Sequence, residues 1–186
     1  MNHKAALFIL SSLIGCVGSP VKLTPPSKEA PVVTLEMKSA AAGEAGWQAV
    51  APGAILHSGE KFALKLEASQ SLSFYVGQRS AGNEVSLIYP AAPNKSLYAE
   101  PGAATFIPKE GGWFRLDDHV GKEVIYVLVS TQQLERNAVL KRLREEPFEI
   151  TREPPPVVEH RDRGPKVRTV LPKSGIAVLQ FPFIHQ

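Results

Sequence analysis

The stretch EVIYVLVS, residues 123–130, contains six consecutive hydrophobic residues between a glutamate and a serine. A strand with one face in water alternates hydrophobic and polar residues, whereas a strand covered on both faces shows no such alternation. The stretch is also rich in Val, Ile and Tyr, which favour β-structure. It therefore predicts a central β-strand that is buried on both faces.

Segments on either side of this stretch alternate hydrophobic and polar residues, as strands with one solvent-facing side do. The clearest is KFALKLE (61–67), in which Phe62, Leu64 and Leu66 share one face. The other predicted strands are 32–38, 71–77, 84–90, 104–107, 113–116, 167–171 and 176–181, the last inserted into a sheet. We expect residues 68–70 to form a hairpin connection. Short strands separated by turns predict a mainly β protein with an antiparallel β-sandwich fold.

One segment, residues 132–146, has helical rather than strand periodicity. Val139, Leu140 and Leu143 fall on one side and charged residues fill most of the rest, which predicts a short amphipathic helix. Ser130 and Gln133 have the spacing of a capping box, so we expect the helix to begin there. The helix is expected to cover an edge of the sheet, and docking of a partner is the alternative.

The N-terminal segment has the three parts of a secretory signal: Lys4, a short apolar run over 5–14, and the small residue Gly15 before Cys16. The apolar run is too short to span a hydrocarbon core of about 30 Å. Residues 13–16, Leu-Ile-Gly-Cys, resemble the bacterial lipobox. The resemblance implies cleavage between Gly15 and Cys16, with lipid on the Cys16 sulfur and acylation of the new amino terminus. The alternative is an ordinary secretory signal with an incidental cysteine.

The sequence therefore predicts three parts: a lipoprotein signal peptide (1–15), a lipidated Cys16 followed by a Pro-rich flexible tether (16–31), and a β-sandwich domain (32–186). Prolines favour extended, solvated backbone in such a tether. In lipoprotein sorting of the enteric type, an aspartate after the cysteine favours retention in the inner membrane. Val17 occupies this position, so we expect the periplasmic face of the outer membrane. We expect a lipid-anchored protein of the bacterial cell envelope.

Within the domain, residues from about 53 to 134 carry an ordered series of motifs. LHSGEKFAL (56–64) opens the series, GNEVSLIYP (82–90) follows, and GKEVIYVLVS (121–130) closes it. Together these motifs resemble the bacterial domain of unknown function 4384 family, with Glu60 in place of the more usual aspartate. The resemblance implies a β-rich, often envelope-associated domain with no established catalysis. We interpret 58–59 and 121–123 as turns that serve folding.

Charge and cysteine content exclude some classes of protein. The chain carries 21 basic and 18 acidic residues, and its net charge is +3. Because basic residues are scattered among acidic ones, we expect them to solvate the surface and predict no nucleic-acid partner. A single cysteine cannot form an internal disulfide.

Motifs that carry chemistry are missing from the sequence. It has no Gly-x-Ser-x-Gly elbow, His-Glu-x-x-His helix or phosphate-binding Gly-Lys-Ser/Thr, so we expect no catalytic residues and no cofactor. The histidines His57, His119, His160 and His185 lack the spacing of metal ligands. The run 117–119, Asp-Asp-His, is the one local candidate, but neighbouring strand residues point to opposite faces. We therefore predict no metal site.

These observations favour a membrane-anchored periplasmic lipoprotein that acts as a non-catalytic binding or adaptor module in a cell-envelope assembly. Its expected partners are the lipid bilayer, through acylated Cys16, and an envelope protein that contacts the segments 132–146 and 152–168. The alternative is a lipoprotein that binds glycan or peptidoglycan through exposed aromatic side chains. The candidate ligand platform comprises Trp47, Tyr75, Tyr98 and Trp113.

Overall fold

Twelve β-strands and one α-helix make up the part of the chain that the computed structural model describes, namely residues 29–43, 46–91, 97–147 and 165–186. The first six strands are β1 (Val32–Ala40), β2 (Gln48–Val50), β3 (Ile55–Leu56), β4 (Lys61–Ala68), β5 (Leu72–Arg79) and β6 (Val85–Tyr89). The next four are β7 (Tyr98–Ala99), β8 (Ala104–Ile107), β9 (Phe114–Arg115) and β10 (Gly121–Ser130). Helix α1 (Arg136–Glu145), β11 (Lys166–Val170) and β12 (Ile176–His185) complete the order.

The strands form two six-stranded sheets. Sheet A follows the path β11-β1-β4-β8, with β2 on β1 and β9 on β4. Sheet B follows the path β3-β12-β10-β5-β6, with β7 on β5. All strand pairs are antiparallel except β3 with β12, which run parallel. The predicted β-sandwich is confirmed.

The strand β10 lies in the middle of sheet B and is covered on both sides, as predicted. Its inner face adds Ile125, Val127 and Val129 to the main core between the sheets. Its outer face adds Val124, Tyr126 and Leu128 to a second cluster under α1. The strand β12 lies beside β10 along its whole length, so the predicted insertion of the last strand is also confirmed.

Helix α1 packs on the outer face of sheet B, with Val139 and Leu143 fully buried. It approaches the sheet closely at Gly77, where an added Cβ would lie 2.4 Å from Leu143 Cδ1. The prediction that the helix covers a sheet edge is confirmed at β6, the edge strand of sheet B, and the helix also covers the outer sides of β5 and β10. Val139 and Leu143 share one helical face and pack against the apolar outer side of β5, β6 and β10. Leu134 and Leu140 are partly buried beside them.

The predicted capping box at Ser130 is wrong. Ser130 is the last residue of β10 and pairs with Ser73 and Ile176 in the sheet. Its Oγ accepts a hydrogen bond from the Gln132 backbone N–H at 3.1 Å, and the helix begins only at Arg136. Strand β10 extends through Ser130 because β5 and β12 pair with it on both sides, so Ser130 cannot cap the helix.

The predicted hairpin at 68–70 is wrong as well, because β4 and β5 belong to different sheets. Strand β5 has a hydrophobic inner face and a covered outer face, and it pairs with β10 instead of β4. The three residues between the two strands cross from sheet A to sheet B. In contrast, the turn between β5 and β6 joins two paired strands, and Asn83 adopts a φ of 65° within it.

The predicted signal peptide, Cys16, most of the tether and nearly all of the predicted loop 152–168 lie outside the described residues. Within the part of the chain that the structure describes, no helix is long and apolar enough to cross a membrane.

Candidate functional site

The two sheets differ in what covers their outer faces. Helix α1 covers the outer face of sheet B, whereas within the described residues no helix packs on the outer face of sheet A. Residues directly opposite in an antiparallel pair project from the same face. The register therefore groups side chains on this face: Lys166, Glu36, Lys65 and Phe106 form one row, and Arg168, Thr34, Glu67 and Ala104 form the next.

The outer face of sheet A is strongly basic. Its basic residues are Lys38, Lys61, Lys65, Arg115, Lys166 and Arg168, and its acidic residues are Glu36 and Glu67. Six basic residues against two acidic ones give this face a formal charge of +4, although the whole chain carries only +3. Basic residues are scattered among acidic ones in the sequence, but strand register gathers residues that lie far apart in the chain onto this face.

Ion pairs organise the charges on the outer face of sheet A. Glu36 is buried between Lys38 and Lys166, with both ammonium groups 3.5 Å from its carboxylate. Lys65 lies 2.6 Å from Glu67. At one end of β4 the ammonium of Lys61 lies over the Trp113 ring, 4.6 Å from its centre. The acidic side chains thus lie among the basic ones and leave an excess of cations at the surface.

The candidate aromatic platform does not form as predicted. Tyr75 is only 4% exposed, because its ring packs in the second cluster under α1 and its hydroxyl bonds the backbone N–H and C=O of Leu134. Including Tyr75 was therefore wrong. Trp47, Tyr98 and Trp113 are each 42–50% exposed.

Two of the exposed aromatic residues, Tyr98 and Trp113, lie near opposite ends of β4. Trp113 precedes β9, which pairs with the first residues of β4. Tyr98 is in β7, which pairs with the first residues of β5 and so lies near the last residue of β4. The eight residues of β4 at about 3.3 Å each place these two side chains roughly 20 Å or more apart. They do not present one continuous surface.

A second candidate site lies at one end of the main core, where four polar side chains meet. We call Ser58, Asp117, Glu123 and His185 the His185 cluster. His185 Nδ1 and Glu123 Oε1 are 2.8 Å apart, and His185 Nε2 lies 3.1 Å from Ser58 Oγ. The side chains of His185 and Glu123 are 0% and 1% exposed. Gln78 Nε2 donates to the other carboxylate oxygen of Glu123 at 2.6 Å.

The elements that position this cluster come from four places in the chain. Ser58 lies in the turn between β3 and β4, and Asp117 follows β9. Glu123 and His185 lie on the neighbouring strands β10 and β12. Their pairing begins with Gly121 opposite His185, so Glu123 is two residues further along. Side chains at both positions point toward the space between the sheets, so the cluster closes this end of the core.

The Ser58–His185–Glu123 arrangement has the order of a nucleophile, base and orienting carboxylate. Acyl transfer also needs N–H donors aimed at the developing oxyanion. The Ser58 backbone N–H donates to Gln186 O at 2.8 Å, and the next N–H, that of Gly59, donates to Leu116 O at 3.1 Å. The amides beside the hydroxyl are therefore already paired, and this geometry does not favour acyl transfer.

Asp117 forms the solvent-facing side of the His185 cluster. Its pKa is held below the ordinary value mainly by the hydrogen bond from the His119 backbone N–H. The His119 ring also lies 3.2 Å from the carboxylate, and both side chains are well exposed. Asp117 is therefore ionised at neutral pH.

Sequence patterns did not point to Ser58, Glu123 or His185 as members of one site. The first two were interpreted as turn residues that serve folding, and His185 as one of several scattered histidines. The sequence does carry one signal. Glu123 and His185 are each a charged or polar residue at one end of a strand face that is otherwise hydrophobic.

The fold and these sites define a small β-sandwich domain with a helix on one outer face and, among the described residues, a basic second outer face without a helix. Residues 55–133 match the family model described as a domain of unknown function (DUF4384), so the protein contains a DUF4384-like domain. No curated protein and no solved structure shows a significant match to the chain. The matched segment runs from β3 through β10 and leaves out β1, β2, α1, β11 and β12.

Proposed function

We propose that the protein is a membrane-anchored periplasmic lipoprotein whose DUF4384-like domain is a non-catalytic binding module for an acidic protein partner in the cell envelope. The observation that carries this proposal is the basic outer face of sheet A, which no helix covers within the described residues. Complementary charge speeds encounter with a partner and disfavours partners of like charge. A face built from hydrogen-bonded strands also holds its charges in fixed rows, which suits recognition of another folded surface.

The size of this face favours a modest affinity. The nine residues of β1 at about 3.3 Å each, across four strands about 4.8 Å apart, give an area on the order of 600 Å². A standard interface buries about 800 Å² on each partner. We therefore expect a reversible complex that weakens as salt screens the charges.

Lipid attachment at Cys16 would hold this domain at the membrane. Glu29 O and Pro31 O accept hydrogen bonds from Gln70 and Leu171 of the domain, so the free tether would be the twelve residues 17–28. Extended at about 3.1 Å each, they would let the domain reach roughly 37 Å from the lipid. Such a tether would allow the outer face of sheet A to turn toward a neighbouring protein.

The anchor is tested by the substitution Cys16→Ala. We expect the variant to be released from membranes or to keep its signal peptide, because the thiol that accepts the lipid is missing. The measurement is fractionation of cells with mass spectrometry of the N-terminus, and Ser19→Ala is the control because it leaves the lipobox intact. Normal processing and membrane retention of Cys16→Ala would contradict the lipoprotein assignment.

The partner is tested by photo-crosslinking in intact cells. A photoreactive amino acid replaces Ala63, which is central on the outer face of sheet A opposite Lys38. The matched control replaces Ala138, which is exposed on α1. We expect a discrete protein adduct from Ala63 and none from Ala138. Adducts from Ala138 alone, or adducts of Ala63 with lipid only, would contradict the proposal.

A further inference from the structure

Asp117, Glu123 and His185 each direct one ligand atom toward a common point. Within the described residues, these three atoms lie within 4.8 Å of one another. His185 Nδ1 and Glu123 Oε1 are already 2.8 Å apart. We propose that these three side chains form a binding site for a divalent transition-metal ion, for which Zn²⁺ is the best match.

The donor set suits this class of ion. Zn²⁺ is bound by imidazole nitrogen and carboxylate oxygen at about 2.0–2.2 Å, which places ligand atoms a little over 3 Å from each other in a tetrahedral site. The His185–Glu123 pair needs to open only slightly to admit an ion. Asp117 completes the set by rotating its exposed side chain away from His119. Mg²⁺ and Ca²⁺ prefer oxygen ligands and higher coordination numbers, so an imidazole between two carboxylates disfavours them.

Both buried ligands are held from behind by a hydrogen bond, as ligating side chains in metal sites are. With Nδ1 on the metal, the ring proton is on Nε2, which lies 3.1 Å from Ser58 Oγ and donates to it. Gln78 holds Glu123 Oε2 at 2.6 Å and leaves Oε1 directed at His185. Each outer contact thus leaves one ligand atom facing the common point.

Charge and access also fit a bound cation. Two carboxylates and a neutral imidazole place a formal charge of −2 around the point, which a divalent ion neutralises. Asp117 is 63% exposed at its side chain and marks the route from solvent. Because the ligands come from β10, β12 and the segment after β9, the ion would fasten the end of the last strand to the core.

The test is titration of the purified full chain, without a polyhistidine tag and after treatment with a chelator, using Zn²⁺ in competition with a chromophoric chelator. We expect one equivalent of Zn²⁺ to bind and to raise the thermal unfolding midpoint, because an ion that binds only the folded state stabilises it. Co²⁺ in the same site should give the visible absorption of a four- or five-coordinate complex. Binding of no saturable equivalent would overturn the proposal.

Variants separate this site from simple surface binding. We expect Asp117→Asn to weaken Zn²⁺ binding at least about tenfold, because it removes a charged ligand, whereas the neighbouring Asp118→Asn should leave it unchanged. Asp117 and Asp118 are both exposed, so neither variant is expected to unfold the domain. His119→Ala should also retain binding. Loss of binding in His119→Ala, or equal affinities of the Asp117→Asn and Asp118→Asn variants, would overturn the assignment.

Discussion

A chain that ends at Gly175, without residues 176–186, is expected not to fold. The truncation removes β12, which lies between β3 and β10 in sheet B. It also removes Leu179, Phe181 and Phe183, which are buried in the main core. Losing one buried phenylalanine side chain costs about 3–5 kcal/mol, and a whole domain is stable by only about 5–15 kcal/mol. The loss of two such side chains and a complete strand therefore exceeds the stability available.

The measurements are circular dichroism and urea unfolding of the truncated chain. Two full-length variants serve for comparison: Gln180→Ala, with a small expected effect, and Phe181→Ala, with an intermediate one. Gln180 lies on the half-exposed side of β12, so its variant should unfold close to the wild type. Phe181→Ala should lose about 3–5 kcal/mol. A truncated chain that retains a cooperative transition at the wild-type midpoint would contradict the role given to β12.

The same reasoning applies to the segment that matches the DUF4384 family model. Residues 55–133 contain β10 but lack β1, which joins β11, β2 and β4, and lack β12. Each sheet thus takes a central strand from outside the matched segment. An isolated 55–133 fragment is therefore expected to remain unfolded.

The substitution Arg79→Ala is expected to destabilise the domain by about 3 kcal/mol or more. The buried guanidinium of Arg79 donates to the carbonyl oxygens of Leu143, Arg144 and Glu146 at 3.0–3.3 Å, where α1 ends. It also donates to the Tyr126 hydroxyl at 2.8 Å. The last carbonyls of a helix have no partners within the helix, and leaving a buried acceptor such as Leu143 O or the Tyr126 hydroxyl unpaired costs about 1–3 kcal/mol. Removal of the side chain should loosen α1 from sheet B.

Urea unfolding and hydrogen exchange of the α1 amides measure this effect. The matched control is Arg142→Ala, which removes an exposed arginine that pairs with Glu146 at 3.0 Å. Such a pair on a helix surface is worth about 0.3–0.5 kcal/mol. If Arg79→Ala and Arg142→Ala lowered the free energy of unfolding equally, the buried guanidinium would not hold the helix on sheet B.

Strands with a clear pattern could be located from the sequence. Residues 61–67 alternate over their full length, and 123–130 are hydrophobic on both faces, so burial alone dictates their structure. Strands β2, β3 and β7 have only two or three residues, too few to show a period. Residues 69–71, between β4 and β5, have the composition of a turn. A turn composition does not show whether the two flanking strands pair with each other or belong to different sheets.

The candidate sites depend on strand register, which the sequence does not state. Ser58 and His185 are 127 residues apart, and Glu123 and His185 are 62 apart. Glu123 and His185 meet because β10 and β12 pair along ten residues, and Ser58 joins them because β3 pairs with the end of β12. Likewise, the alternating lysines of β4 are visible in the sequence, but Lys166 joins their row only through β1. Lipidation of Cys16 remains a prediction.

The central claim, that the outer face of sheet A binds an acidic protein partner, is tested most directly by reversing its charge. One variant combines Lys38→Glu, Arg115→Glu and Arg168→Glu, all at exposed positions of this face. The matched control reverses three exposed basic residues elsewhere, Lys141→Glu, Arg144→Glu and Lys173→Glu. The two variants have the same net charge, so they differ only in where the charge lies.

The measurement is the yield of the protein adduct from the photoreactive residue at position 63 in each variant, with thermal unfolding to verify that both fold. Reversed charges face a partner of like sign, which costs several kcal/mol across an interface. We predict that the sheet A variant loses at least about tenfold in yield, whereas the control keeps the wild-type yield. Equal yields from the two variants would contradict the proposed binding face.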